Sequence, residues 1–236
     1  NRIRREQRPK IQKIAEIVPE ALNASRAIMT SFDLSAPLRQ GGVMAITNPK
    51  LWAQAFAPML QAAKSEHGQL VATEMIRSLP SAAIAKQAGL EITTNEDSLS
   101  AMEEAYMSRL VKHIPVIGKG VAMSERAYMT FLNVLRGTVF DSLVEQLGRN
   151  GEVTLDEAKV LANWMNVATG RGELAGFQMA ATSLATVFFS PRYVMSRFQL
   201  LLAQPIWTGV WKGNWSPRAR LLVAKQYGEL AGGLGL

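Results

Sequence analysis

Apolar residues recur along this chain at intervals of three and four, the spacing of helices buried on one side. Ile11, Ile14, Val18 and Leu22 mark a helix over residues 2–28, which Pro19 kinks or splits. Residues 31–48, punctuated by Asp33, Pro37 and Gly41-Gly42, read as a connector. Asn48-Pro49 predicts a capped helix start, followed by a helix with Trp52, Phe56, Met59, Leu60 and Ala63 that Pro58 kinks. Further helices are expected over 68–79 and 80–89, the latter stopped by Gly89, and over 97–112. A loop over 113–122 carries Pro115, Gly118 and Gly120. Ser124 then caps the strongest amphipathic helix, whose inner face holds Tyr128, Phe131, Leu132, Leu135, Val139 and Leu143, with Asp141 and Glu145 on the other side.

Gly148 ends that helix, and Asn150-Gly151 makes a turn. Thr154 with Glu157 three residues on forms a capping box before a helix that buries Val160, Leu161, Trp164 and Val167. Thr169-Gly170-Arg171-Gly172 breaks it, and a helix with Phe177, Ala180, Ala181, Leu184, Val187 and Phe188 facing inward follows. Ser190-Pro191 and Ser216-Pro217 each restart a helix. No run alternates apolar and polar residues with β-branched enrichment, so strands find no support. The fold class expected is all-α, an irregular multi-helix domain of about eight or nine helices with short, Pro/Gly-punctuated connections. A basic helix occupies 1–30 and the main helical domain 31–236.

Composition sharpens this picture at three points. Charged residues make up only 19% of the chain, against about 25% in an average soluble domain, which points to extra buried or interfacial surface. The absence of Cys removes disulfides, thiolate metal sites and a cysteine nucleophile. Two uncharged runs, Leu174–Phe189 of 16 residues and Phe198–Trp211 of 14, fall short of the ~20 apolar residues a spanning helix needs. Both are therefore expected to be buried core helices. An opening Asn1 and the closing Ala231-Gly232-Gly233-Leu234-Gly235-Leu236 read as the ends of a segment cut from a longer polypeptide.

The formal net charge of +7 favours acidic partners. Arg2, Arg4, Arg5, Arg8, Lys10 and Lys13 give the first thirteen residues a net +5 against Glu6. These six are the candidates for contact with DNA phosphates or an anionic surface, set against a plainly solvated helix end. Trp207, Trp211 and Trp215 lie four residues apart beside Lys212, Arg218 and Arg220. They are candidates for an interface, with core or subunit packing favoured over stacking on single strands or seating at a membrane.

No catalytic, cofactor-binding or metal site emerges. Glu103 and Glu104, adjacent on a helix, diverge by about 100° and do not converge on one substrate atom. His113 lacks a partner at recognisable spacing, and His67 fits a helix-capping role. Gly118-Lys119-Gly120 and Thr169-Gly170-Arg171-Gly172 lack the Walker pattern and read as glycine turns between helices.

Four stretches carry a resemblance. They are Ala27 to Gly41, with Leu38-Arg39-Gln40-Gly41 at its end; Ser124-Glu125-Arg126-Ala127-Tyr128 with Phe131-Leu132-Asn133 and Leu135-Arg136; Ala168-Thr169-Gly170-Arg171-Gly172; and Phe188-Phe189-Ser190-Pro191-Arg192 with Ser196-Arg197. In this order and spacing, over about residues 24–211, the chain resembles a helical module of the very large virion-associated proteins of tailed bacteriophages, the polyvalent, internal virion or ejection proteins. The resemblance implies a non-enzymatic protein packed in the capsid or tail interior and expelled during infection. It implies a helper in building a conduit for genome delivery across the host cell envelope or periplasm. The expected partners are further copies of itself and other ejection or virion proteins, with sequence-independent contact with DNA; membrane contact is compatible but not required. The family supplies no catalytic residues, and no cofactor is expected. Arg171 and Arg192 are read as bonding helix carbonyls or a neighbouring subunit. The alternatives are a nucleic-acid-binding helical module and, further off, a cell-wall-degrading enzyme.

Overall fold

A computed structural model describes residues 36–93, 115–173, 191–210 and 213–235. It is all-α, and no strand occurs among the described residues. The elements are α1 (Ala36–Arg39), α2 (Gly42–Thr47), α3 (Pro49–Gln54), α4 (Phe56–Lys64), α5 (Glu66–Arg77) and α6 (Ala82–Gln87). They continue with α7 (Pro115–Gly148), α8 (Leu155–Ala168), α9 (Pro191–Leu201), α10 (Gln204–Trp207) and α11 (Pro217–Leu234). The helices expected over 2–28, 97–112 and 174–189 lie outside the described residues.

The 34-residue α7 is the axis of the fold. Phe131, Leu132, Leu135, Val139, Phe140 and Leu143 along it are fully buried. The helical hairpin α4–α5 packs on one side of it and α8 on another. α11 covers α8 and reaches back to α2. Trp164 of α8, fully buried, stacks at 4.9 Å on Tyr227 of α11. Near the start of the described chain, Trp52, Phe56 and Phe131 meet edge to face at 4.8–6.3 Å. Such aromatic contacts add to the area term of burial.

Several boundaries differ from the sequence reading, each for a local reason. The connector 31–48 contains two short helices, α1 and α2. Asn48 does precede a helix with Pro at its first position, but its side chain makes no cap. Instead its Nδ2 donates to Gln226 Oε1 of α11 at 2.7 Å. The expected single helix over Trp52 to Ala63 breaks at the buried Ala55 rather than kinking at Pro58, which sits in the first turn of α4 where no backbone donor is missed.

α5 begins at Glu66 because the Ser65 side chain accepts the Gly68 N–H at 3.1 Å. His67 is thus in a first turn, exposed, and not a cap. The loop expected over 113–122 and the cap at Ser124 are overturned: helix runs unbroken from Pro115 through Gly118-Lys119-Gly120. Proline suits a first helical turn, and two interior glycines cost only about 1 kcal/mol each. Splits of this kind give eleven helical segments among the described residues.

Gly68 shows how closely α4 and α5 approach. A Cβ there would lie 2.3 Å from the Gln61 carbonyl oxygen, whereas one on Gly228 of α11 would meet nothing within 4 Å. Gly68→Ala is therefore expected to destabilise by about 1–3 kcal/mol or more through overpacking. Gly228→Ala is expected to stabilise by about 0.5–1 kcal/mol through helix propensity. Chemical denaturation of the two variants beside the parent reads both signs.

Candidate functional site

Arg39, Arg136, Arg171, and Arg192 with Arg197, described residues from each of the four stretches singled out in the sequence, gather at one place. Its middle is Glu91, in the extended segment after α6. Arg171, in the turn after α8, donates to Glu91 Oε2 at 3.2 Å and to Thr93 Oγ1 at 2.5 Å. Arg192, in the first turn of α9, donates to Glu91 Oε1 and, through Nε, to the Gly172 carbonyl at 3.3 Å. Arg136 enters from the inner face of α7 and is fully buried. It donates to Thr169 Oγ1 at 2.9 Å, to the Thr169 carbonyl at 3.2 Å and to the Glu91 carbonyl at 3.4 Å. Arg136 thereby closes the C-terminal end of α8, where carbonyls lack helical partners.

Two asparagines fasten the same extended segment. Asn133 of α7 bonds both the N–H and the carbonyl of Thr93 at 2.9 Å. Asn166 of α8 accepts from the Glu91 N–H at 3.0 Å and donates to the Gly89 carbonyl at 2.9 Å. The segment behaves as one strand of a ladder whose other rungs are side chains.

Arg39 and Arg197 extend the centre outward. The Arg197 guanidinium lies 4.5 Å from the Tyr193 ring centre and donates to the Arg39 carbonyl at 3.0 Å. The Tyr193 hydroxyl donates to the same carbonyl at 3.1 Å, and the Arg39 guanidinium lies 5.8 Å from its ring. These are cation–π distances. The glycines permit the convergence. Gly170 takes a φ of +88°, and a Cβ on Gly172 would sit 2.4 Å from the Ser196 backbone nitrogen. Gly172 is thus a close-approach glycine as well as part of a turn.

α9 is built inside out. Most of its inward residues are polar: Ser196 is fully buried, Arg192 is paired with Glu91, and Tyr193 and Arg197 hold the α1 carbonyl, while Leu200 packs against the core. Its outward stripe, spaced four and three, is Val194, Phe198 and Leu201, at 37%, 58% and 81% exposure. Leu202 continues it. The expectation that Phe198–Trp211 is a buried core helix is overturned, because the polar side chains of α9 claim the inner position.

The tryptophan set is likewise not a helix face. Trp207 ends α10, its Nε1 donating to the Leu202 carbonyl at 3.0 Å, while Trp215 sits in an extended stretch beyond Gly209 and Gly213, both at positive φ. Both tryptophans are exposed, so core packing is excluded for them; Trp211 lies outside the described residues. Arg220 of α11 organises this loop by donating to the carbonyls of Ile206, Thr208 (2.8 Å) and Asn214 (2.7 Å). Burial lowers the pKa of this guanidinium. A cleft of about 360 Å³ beside the loop is lined by Asp156, Lys159, Asn163, Thr208 and Asn214, among others. Asp156 is engaged by Lys159, and Asn163 by Gln204.

Arg2, Arg4, Arg5, Arg8, Lys10, Lys13, Glu103, Glu104 and His113 lie outside the described residues. Among the described residues, no three His, Asp or Glu side chains are grouped to hold a metal ion, and no helix is long and apolar enough to cross a membrane. No family model, curated protein or solved structure matches the chain.

A second ion pair lies at the capping box, which forms as the sequence predicts: Thr154 Oγ1 accepts the Glu157 N–H, and Glu157 accepts the Thr154 N–H at 3.0 Å. Arg218 of α11 adds a two-pronged bond to Glu157 at 2.8 and 2.9 Å. Chiefly through that bond, and helped by the Thr154 amide, the Glu157 carboxyl is held below the usual carboxylate range despite burial. A folded value below the unfolded one stabilises above the ordinary carboxylate range, and that contribution vanishes as pH falls through the folded value.

Glu157→Gln is accordingly expected to cost about 1–2 kcal/mol at about pH 7. The gap to the parent closes toward about pH 3, as thermal melts at both values will show. Glu91→Gln leaves the buried Arg171 and the half-buried Arg192 without this carboxylate. A loss of about 3 kcal/mol is expected, the low end for a broken buried pair since Glu91 keeps some solvent contact. Urea titration measures it; a loss within about 0.5 kcal/mol, the size of an ordinary surface change, would remove Glu91 from the centre of the fold.

Proposed function

We propose that the chain is a non-catalytic structural segment of a phage internal virion or ejection protein, expelled during infection and helping to form a conduit for genome delivery across the host envelope. One observation carries this reading: one or more described residues from each stretch of the resemblance reach a single centre. Arg39 and Gln40, Arg136, the Thr169–Gly172 turn, and Arg192 with Arg197 come from four separated stretches. A likeness spread over 188 positions would be weak if its members fell on unrelated surfaces. Here several of them bond to one another and to the 89–93 segment, which supports reading the likeness as an architectural one.

The use made of the arginines supports a structural role. They bond carbonyls, threonine hydroxyls and Glu91, joining α1, α7, α8 and α9 to the 89–93 segment. Assembly with further copies or with other virion proteins fits the low charge content. Light scattering of the purified chain at low and high salt tests the assembly. A discrete oligomer at both is the expected result. A monomer at either salt would overturn self-assembly as the basis of this function.

A further inference from the structure

Large apolar side chains are exposed unevenly over this molecule. Val194, Phe198, Leu201, Leu202, Trp207, Trp215 and Leu221 all fall between α9 and the start of α11. This same part of the chain contains no Asp or Glu: from Leu174 to Gly228, 55 residues, every charged residue is basic. Several carboxylates that other elements bring near are held by cations, while Glu173, whose backbone bonds the Gln199 side chain of α9, is exposed. Glu91 is held by Arg171 and Arg192, Glu157 by Arg218, Asp156 by Lys159 and Glu229 by Lys225.

Two cations behind the apolar face keep their charge. Arg197, next to Phe198, bonds a carbonyl and a tyrosine ring; Arg220, clamping the tryptophan loop, bonds three carbonyls. Neither guanidinium meets a carboxylate among the described residues. The surface therefore combines exposed Phe, Leu and Trp side chains with a segment whose own charged residues are all basic.

We propose that this face, the Val194–Phe198–Leu201 stripe with Leu202 and the Trp207–Trp215 loop, docks on the interfacial region of an anionic phospholipid bilayer. The Leu and Phe side chains enter the boundary of the acyl chains, and the tryptophans lie at headgroup level, where their rings are both wet and buried. Arg197 and Arg220 add attraction to anionic headgroups. A protein partner would be met more economically by a rim of mixed charge around the apolar centre, which this segment lacks. Neither the resemblance nor self-assembly enters this argument, so it stands or falls apart from the function proposed above.

The test uses the whole chain and vesicles of phosphatidylcholine, with and without phosphatidylglycerol. The expected result is flotation with the anionic vesicles at an affinity roughly tenfold or more above the neutral ones. Brominated lipids are expected to quench tryptophan emission. The double variant Phe198→Ser with Leu201→Ser, both at exposed positions, is expected to lose roughly tenfold or more in partitioning while keeping its helical circular dichroism. A control with Leu60→Ser and Leu70→Ser, exposed on α4 and α5, is expected to float like the parent. Failure of the parent to float would overturn the proposal, as would equal flotation of the double variant. So would a double variant that loses oligomer mass in light scattering yet floats unchanged, which would assign the face to a second copy.

Discussion

Arg136 has to be satisfied inside the protein, and much of the architecture follows from that requirement. A guanidinium has five donors and stays charged, so burying it without acceptors is prohibitively costly. The acceptors at Arg136 come from the end of one helix and from a stretch that is not helical at all. The extended 89–93 segment thus supplies backbone oxygens where a helix would have spent them on itself. Glu91, positioned by that segment, then draws in Arg171 and Arg192, and with Arg192 the whole of α9. One buried charge on α7 is thereby tied to α8 and, through the 89–93 segment, to α9.

Helix class and the main buried stripes were legible in the sequence because they depend on periodicity alone. Phe131, Leu132, Leu135, Val139 and Leu143 are buried as their spacing requires, and Thr154 with Glu157 makes the expected capping box. What escaped was decided by long-range partners. Asn48 spends its side chain on Gln226 rather than on its own helix, and Ser216 gives its hydroxyl to Asn214 and caps nothing. The glycines at 118 and 120 looked like a loop, yet the helix propagates through them.

The centre itself left one usable sign. Arg136 falls directly beside Leu135 and four residues after Leu132, within the apolar stripe of the best helix. A charge at a core position demands a partner, and that demand predicts a polar cluster without naming its members. Glu91 gave no such sign, since its role arises only when residues 80 and 101 positions away arrive. The orientation of α9 was hidden for the same reason. Apolar spacing reports that a helix has two faces; which face turns inward depends on whether the interior holds carbon or carboxylate.

The contact between α2 and α11 joins parts of the chain far apart in sequence: Asn48 and Gln226 are separated by 178 positions. Everything between them forms a loop that must close before that bond exists, and loop closure is an entropic toll on speed more than on final stability. During synthesis α2 emerges well before α11, the helix that packs on it. Local helical pairs such as α4 with α5 have no such wait. The chain thus combines quick neighbourhood pairings with a slow final seam, and that seam is where premature encounters between nascent copies would do their harm.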